Sequence, residues 1–181
     1  MSDKPHIYIL PGWHNSEPNH WQSRLERGHS RAMRIEQEDW ESPVMSDWVN
    51  KLDHMVQAAE KEIVLVAHSL GSLTVAHYAE NPGNKILGAM LTAPVDPEID
   101  SFPEEIRGFA PCPTRTLPFP HYVVGSRNDP WCNIERAQQM AADWGGKFVD
   151  AGEAGHINAE SGYGPWPEGL FLLSNLLKGI L

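Results

Sequence analysis

Apolar and polar residues alternate along this chain in blocks that predict strands and helices in turn. Short, uninterrupted apolar runs are typical of parallel strands that are covered on both faces. The clearest run begins at Ile63 and ends before Ser69. Further strands are predicted at 6–10, 33–38, 86–93, 122–126 and 147–150.

Helices fill the intervals between these strands. In the segment 46–61, Trp48, Leu52 and Val56 recur with the spacing of one helix face, and Asp47 lies near its start. Further helices are predicted at 21–29, 70–80, 134–144 and 170–177, and Asn81-Pro82-Gly83 predicts the end of the helix at 70–80.

The alternating order of these elements predicts an α/β fold. We expect a three-layer α/β/α sandwich with a mostly parallel sheet of roughly six strands. A chain of 181 residues buries roughly 70% of its unfolded surface, which is enough for one substantial core. The sequence therefore predicts a single domain spanning 1–181.

The segment 94–120 is the most irregular part of the chain. Its prolines preclude an ordinary long helix. Its position after a predicted central strand places it near the expected site, so one interpretation is a substrate wall. The other is a rigid surface crossover, and loop statistics do not separate the two.

Ser69 lies where a predicted strand changes to a predicted helix, with small residues two positions away on either side, Ala67 and Gly71. A nucleophile elbow requires such small neighbours, because its serine occupies a sharp turn with unfavourable backbone angles. The pattern is A-x-S-x-G rather than the commoner G-x-S-x-G, and we expect the turn to accommodate the methyl group of Ala67. The alternative is a serine that only caps the helix.

A serine nucleophile needs a histidine base and a carboxylate that orients the base. Asp129 follows the predicted strand at 122–126, and His156 follows the last predicted strand through a Gly-rich loop. Asp96, which follows an earlier strand, is the alternative acid, and Asp129 could instead only stabilise its own turn. His68, next to the serine, is interpreted as a packing or orienting residue.

In their order and spacing, the motifs of nearly the whole chain resemble the α/β-hydrolase superfamily. More narrowly, they resemble the small lidless serine hydrolases related to retinoblastoma-binding protein 9. The motifs are Pro11-Gly12-Trp13, Asn15-Ser16, His20-Trp21, Gln37-Glu38-Asp39-Trp40, Ala67-His68-Ser69-Leu70-Gly71, Ser126-Arg127-Asn128-Asp129-Pro130 and Gly155-His156-Ile157-Asn158. This resemblance implies a catalytic Ser69, Asp129 and His156 and hydrolysis of an ester or amide.

The oxyanion of such a reaction needs two preorganised backbone N–H groups. One belongs to the residue after the nucleophile, here Leu70. The other comes from the loop after the first strand, and we assign it to Trp13, with His14 as the alternative. Three tryptophans are further candidates for pocket walls: Trp13, Trp131 and Trp166.

Composition excludes several other classes of function. A formal net charge of -10 without a basic stripe argues against nucleic acid as a partner. Metal-ligand spacing, phosphate-binding loops and dinucleotide motifs are absent from the sequence, so we expect no cofactor and no metal. The two cysteines, Cys112 and Cys132, are predicted to be free thiols of a cytoplasmic protein. No secretory signal or membrane span is evident, so a membrane partner is not expected.

The sequence thus predicts a carboxylesterase-like serine hydrolase, with amide or peptide cleavage left open. Its substrate is expected to be a small ester or amide. Asp96, Glu98 and Asp100 would favour an amine-bearing substrate, unless they are simply solvated loop carboxylates. The alternative is a protein-interaction module on a retained hydrolase fold. No L-x-C-x-E segment is present, so binding to the retinoblastoma protein does not follow and a protein partner remains unknown.

Overall fold

The computed structural model describes residues 4–79 and 85–180. In this part of the chain, strands and helices follow each other in near alternation. The strands are β1 (His6–Leu10), β2 (Ala32–Arg34), β3 (Ile63–His68), β4 (Ile86–Thr92), β5 (His121–Gly125) and β6 (Lys147–Asp150). The α-helices are α1 (Trp21–Gly28), α2 (Met45–Ala58), α3 (Leu70–Tyr78), α4 (Ile134–Trp144) and α5 (Pro167–Ile180), and a 3₁₀ helix spans Glu104–Phe109.

The described strands form one six-stranded sheet in the order β2-β1-β3-β4-β5-β6. Every neighbouring pair is parallel. Because parallel strands run in the same direction, the loops that follow their carboxyl ends meet along one edge of the sheet. The predicted α/β sandwich with a parallel sheet is confirmed.

Hydrophobic packing covers both faces of the sheet. On one face, α2, α3 and α4 pack against side chains such as Leu65 and Ala67 of β3. On the other, α1 and α5 pack against Val64 and Val66 of the same strand. All six residues of β3 are buried, which explains why its first five residues form an uninterrupted apolar run.

Several predicted boundaries were wrong at the edge and ends of the fold. Strand β2 covers only Ala32–Arg34, whereas the sequence predicted 33–38. It is an edge strand, and the acidic residues that follow it are not part of the sheet. Edge strands are commonly kept short in this way. Helix α5 starts at Pro167 rather than 170, because proline fits the first helical position. The predicted stop at Asn81-Pro82-Gly83 lies outside the described residues.

The proline-rich segment crosses from β4 to β5 and contains the 3₁₀ helix Glu104–Phe109. Ile106 and Phe109 of this helix are buried, and both belong to the core cluster on the α2 side. The segment is therefore packed onto the body of the protein close to the carboxyl end of β4. Among the described residues, no helix is long and apolar enough to span a membrane.

Candidate active site

Ser69 lies between β3 and α3 with φ 57° and ψ −126°, a left-handed conformation that is rare for residues other than glycine. Close packing surrounds the turn. A Cβ atom on Gly71 would collide with the carbonyl oxygen of Leu10 and lie 2.6 Å from that of Pro11. A Cβ atom on Gly12 would lie 2.6 Å from the Cβ of Ser69. The serine turn and the loop after β1 therefore touch through two positions that only glycine can fill.

Ala67 takes the place of the first glycine of the commoner motif. It is fully buried and pairs in register with Leu10 of β1 and Leu91 of β4. Its methyl group belongs to the hydrophobic cluster under α2, α3 and α4. The turn thus accommodates alanine here because the side chain enters the core.

Three predicted site residues come together at the carboxyl edge of the sheet. The Oγ of Ser69 lies 2.9 Å from Nε2 of His156. The Nδ1 of the same imidazole lies 3.0 Å from Oδ1 and 2.9 Å from Oδ2 of Asp129. All three side chains are shielded from solvent, with only 2% of the Asp129 side chain and 11% of the His156 side chain exposed. This geometry forms a continuous hydrogen-bonded chain from carboxylate to hydroxyl.

The alternative acid, Asp96, is engaged elsewhere. Its Oδ1 lies 3.3 Å from Nε of Arg136, and Glu98 forms an ion pair with the same guanidinium. Asp100 is exposed and does not line the cleft that contains Ser69. Two of the three carboxylates suggested as an amine site are thus already neutralised by a cation of the protein.

Two side chains that sequence reasoning left without a role join the loops that carry Asp129 and His156. The Oδ1 of Asn128 accepts hydrogen bonds from the Ser126 hydroxyl and from the Gly155 N–H, at 3.0 and 2.7 Å. The Ser126 hydroxyl oxygen accepts in turn from the N–H of Ala154 at 2.9 Å. Both side chains lie in the motif 126–130. Polar residues directly after a buried strand were the sequence signal that could have indicated this role.

The loop after β1 passes above Ser69. The backbone N–H of His14 donates to the carbonyl of Trp40 at 3.1 Å, so this amide already has an acceptor. The N–H of Trp13 takes no part in the backbone hydrogen bonds of this loop in the described structure. Leu70 is the first residue of α3, and an N–H at that position has no acceptor within its helix. Of the two alternatives for the second oxyanion donor, the free amide is that of Trp13.

Two long-range side chains hold this loop. Gln22 is fully buried, and its amide donates to the carbonyls of Leu10 and Val66 at 3.1 and 3.0 Å. Arg34 donates to Oδ1 of Asn15 at 2.6 Å and to the carbonyl of Ser16 at 3.0 Å. Neither role could be predicted from the sequence, since both depend on contacts between segments that are distant along the chain.

A cleft of about 360 Å³ opens beside Ser69. Trp13 and Trp131 line it, as predicted, and the proline-rich segment contributes Val95 and Ile106. The interpretation of that segment as one wall of the cleft is therefore the one the structure bears out. Trp166 does not line this cleft; it lies in a separate apolar pocket between α1 and α5.

Burial controls the ionisation of the other polar groups near the site. It lowers the pKa of His68 well below its ordinary value and lowers the pKa of His20 to about 4, so both rings are neutral at pH 7. Cys112 and Cys132 are free and buried, and burial raises the pKa of both thiols. Within residues 4–79 and 85–180, no group of three or more histidine, cysteine or acidic side chains is arranged to hold a metal ion.

A parallel sheet with helices on both faces and a serine at a strand-to-helix turn define an α/β hydrolase. Residues 7–175 match the family model described as serine hydrolase, and the chain belongs to that family.

Solved structures agree with this assignment. A protein from Pectobacterium atrosepticum, described as a YdeN-like hydrolase, is 33% identical with a TM-score of 0.86, and the match covers 98% of this chain and 93% of that one. The ydeN gene product of B. subtilis is 18% identical with a TM-score of 0.79, covering 97% of this chain and 100% of that one. Mouse alpha/beta hydrolase domain-containing protein 10 is 14% identical, with a TM-score of 0.72 over 98% of this chain and 91% of that one, a likeness of fold. A search among curated proteins found no match.

Proposed function

We propose that this protein hydrolyses a small carboxylic ester or amide through Ser69, His156 and Asp129 and an acyl-enzyme intermediate. The observation that carries the proposal is the unbroken hydrogen-bonded chain from Asp129 through His156 to Ser69, with contacts of 2.9 to 3.0 Å. A serine hydroxyl with no base beside it is a weak nucleophile at neutral pH, and this contact supplies the base. The proposal treats residues 1–181 as a single catalytic domain.

In the first half of the reaction, Ser69 Oγ bonds to the substrate carbonyl carbon and its proton passes to Nε2 of His156. The tetrahedral intermediate then breaks its bond to the leaving group, which takes that proton. Asp129 holds the Nδ1–H tautomer and stabilises the transient imidazolium. Water repeats the two steps on the acyl-enzyme and releases the carboxylic acid, which restores Ser69.

The negative charge on the tetrahedral oxygen is stabilised by two backbone N–H groups, those of Leu70 and Trp13. The engagement of the His14 amide with Trp40 supports the choice of Trp13. Loss of one such donor slows acyl transfer by roughly 10²–10³-fold in other hydrolases. The contact between Gly12 and Ser69 supports this role, because it keeps the loop within reach of the reacting carbon.

The substrate is a small or short-acyl ester, and the activity is carboxylesterase-like. The cleft of about 360 Å³ suits a small acyl group. Trp13, Val95, Ile106 and Trp131 form an apolar part of its wall, and the polar residues His14, Asn158 and Glu160 line the rest beside the proposed triad. The proposal includes a relationship to the small hydrolases related to retinoblastoma-binding protein 9.

It also includes a cytoplasmic location, which is supported by the two free and buried thiols.

Labelling with a fluorophosphonate probe tests the proposal. We expect the wild type to be modified at Ser69, as identified by mass spectrometry of the labelled peptide, and Ser69→Ala and His156→Ala to lose the label. Acyl-length preference is then read from a series of nitrophenyl esters, with short chains cleaved fastest. A folded wild type that takes no label would overturn the proposal and favour the protein-interaction module instead.

A further inference from the structure

Two consecutive carbonyl groups in the catalytic-histidine loop are each held by an aromatic side chain from far along the sequence. The carbonyl of His156 lies 2.8 Å from Nε2 of His68, 88 residues away. The carbonyl of Ile157 accepts a hydrogen bond of 2.9 Å from the indole Nε1–H of Trp21, 136 residues away. His68 directly precedes the proposed nucleophile, and Trp21 begins α1.

The chemistry fixes the direction of the His68 contact. A carbonyl oxygen only accepts hydrogen bonds, so the imidazole of His68 carries its proton on Nε2 and donates it. The ring is buried, and burial lowers its pKa, so it stays neutral in this tautomer. His68 is thus a fixed donor beneath the loop.

His20, the residue before α1, packs against His68. Its Nδ1 accepts a hydrogen bond from the N–H of Gln22, which caps α1 and leaves the ring proton on Nε2. That buried Nε2 has no hydrogen-bond partner in the described part of the chain. The rings of His20 and His68 pack edge to face with centroids 4.8 Å apart, so His20 restricts the space that the His68 ring can occupy.

The loop itself is strained, which is why it requires external support. Ile157 has φ 48° and Gly155 has φ 56°. A left-handed conformation is unfavourable for a β-branched residue and persists only where surrounding contacts impose it. Between these two residues lies His156, whose ring must meet Ser69 and Asp129 at once.

We infer that His68 and Trp21 are positioning residues for His156, which fix its backbone so that its imidazole lies between Ser69 and Asp129. This inference rests on the proposed function, and it gives a role to His20-Trp21 and His68, which the proposed triad does not use. Because neither side chain lines the cleft, their loss slows the chemical step and leaves substrate binding unchanged. A displacement of about 1 Å in a catalytic group costs up to roughly 100-fold in rate.

The first test compares His68→Met with His68→Gln. The two new side chains are nearly equal in length, but only glutamine offers an N–H near the position of Nε2. For hydrolysis of a short nitrophenyl ester, His68→Met is expected to lower kcat about ten- to hundredfold with KM within about twofold. His68→Gln is expected to recover kcat to within about threefold of the wild type.

The second test removes the other donor without changing the packing greatly. Trp21→Phe loses the indole N–H to Ile157, and a kcat loss of about tenfold is expected. The matched control is Trp144→Phe on α4, which removes another buried indole, one that donates to the carbonyl of Pro113 at 2.7 Å. This control is expected to lose stability as Trp21→Phe does, because it also loses a buried hydrogen bond. It is expected to keep its kcat, since Trp144 does not contact the His156 loop.

A spectroscopic readout separates positioning from stability. A proton on Nδ1 of His156 that is hydrogen-bonded to Asp129 is expected to give a far-downfield ¹H resonance. This resonance is expected to shift or broaden in His68→Met and Trp21→Phe but not in Trp144→Phe. Equal kcat losses in Trp21→Phe and Trp144→Phe would refute the inference, and so would an unchanged resonance and kcat in His68→Met. Either result leaves the proposed function intact as long as the wild type takes the fluorophosphonate label at Ser69. An unlabelled wild type would instead remove the proposed function itself.

Discussion

The turn that carries Ser69 and the loop that carries Trp13 lie against each other, yet they are held in different ways. The turn connects β3 directly to α3, so consecutive secondary structure sets its shape. The loop after β1 contains two successive left-handed residues, His14 and Asn15, and is fixed by side chains from other segments. Arg34 lies 19 residues from Asn15 and holds it from an edge strand.

This difference shows which part of a hydrolase site is local and which part is assembled by the fold. A local turn leaves a mark in the sequence, because small residues must flank it. A loop held by distant residues leaves a weaker sequence signal, because the side chains that hold it are ordinary polar residues that can lie anywhere in the chain. We therefore expect mutations in the turn to act through steric collision and mutations around the loop to act through lost hydrogen bonds.

The largest effect is expected from Gly71→Ala. The added Cβ meets the backbone carbonyl oxygens of Leu10 and Pro11, which belong to β1 and its loop and cannot move without disturbing the sheet. Overpacking of this kind costs about 3 kcal/mol of unfolding free energy, and Ser69 moves with it. Denaturant unfolding should report the stability loss, and the rate of fluorophosphonate labelling should fall by more than about 100-fold.

Gly28→Ala is the matched control for that substitution. Gly28 ends α1, and a Cβ atom there would find nothing within 4 Å. Its stability and labelling rate should equal those of the wild type or exceed them slightly, since alanine favours a helix. If Gly71→Ala were as stable and as reactive as this control, the close contact between the turn and β1 would not constrain the site.

The fold was largely predictable because buried parallel strands leave continuous apolar runs. The bounds of β1, α4 and β6 agree with the sequence prediction residue for residue. Strand β2 was misplaced because its three residues, Ala32–Arg34, include no β-branched or aromatic residue, whereas the buried Ile35 lies just beyond its end and extended the predicted run. The start of α5 was placed too late because Pro167, an acceptable first helical residue, was not used as a start signal.

For the site, the sequence predicted the three residues of the proposed triad but not their supports. Ser69, Asp129 and His156 each follow a strand, so parallel topology alone brings them to one edge. His68 was interpreted as a packing or orienting residue, but its partner in the His156 loop and the role of Trp21 could not be predicted, since nothing in a histidine or a tryptophan shows which distant carbonyl it will meet. The choice between Trp13 and His14 likewise depended on the contact of His14 with Trp40, which only the folded chain creates.

A smaller effect is expected from Arg34→Lys, which tests the assembled loop. Lysine keeps the charge but loses the planar fork that reaches Asn15, Ser16 and Ser23 together. Because only 9% of the Arg34 side chain is exposed, water replaces these bonds poorly. We expect a loss of about 1–2 kcal/mol in unfolding free energy and a roughly tenfold lower kcat/KM, measured with a short nitrophenyl ester.

Arg27→Lys provides the comparison for the arginine test. Arg27 is exposed on the same side of the fold, where its guanidinium donates to the carbonyl of Pro18. Its replacement should change neither stability nor kcat/KM by a measurable amount. Equal and small effects of the two lysine substitutions would mean that the loop keeps its shape without Arg34.

The smallest effect is expected from Ala67→Gly, which restores the commoner G-x-S-x-G motif. The substitution removes a buried methyl group and frees the backbone of the unfolded chain, so the free energy of unfolding should fall by roughly 1 kcal/mol. Ala89→Gly on the neighbouring strand β4 removes an equally buried methyl and serves as the control. Labelling rates of both variants should stay within about twofold of the wild type, because the Ala67 side chain enters the core rather than the turn. A rate gain of tenfold or more confined to Ala67→Gly would show instead that alanine strains the nucleophile turn.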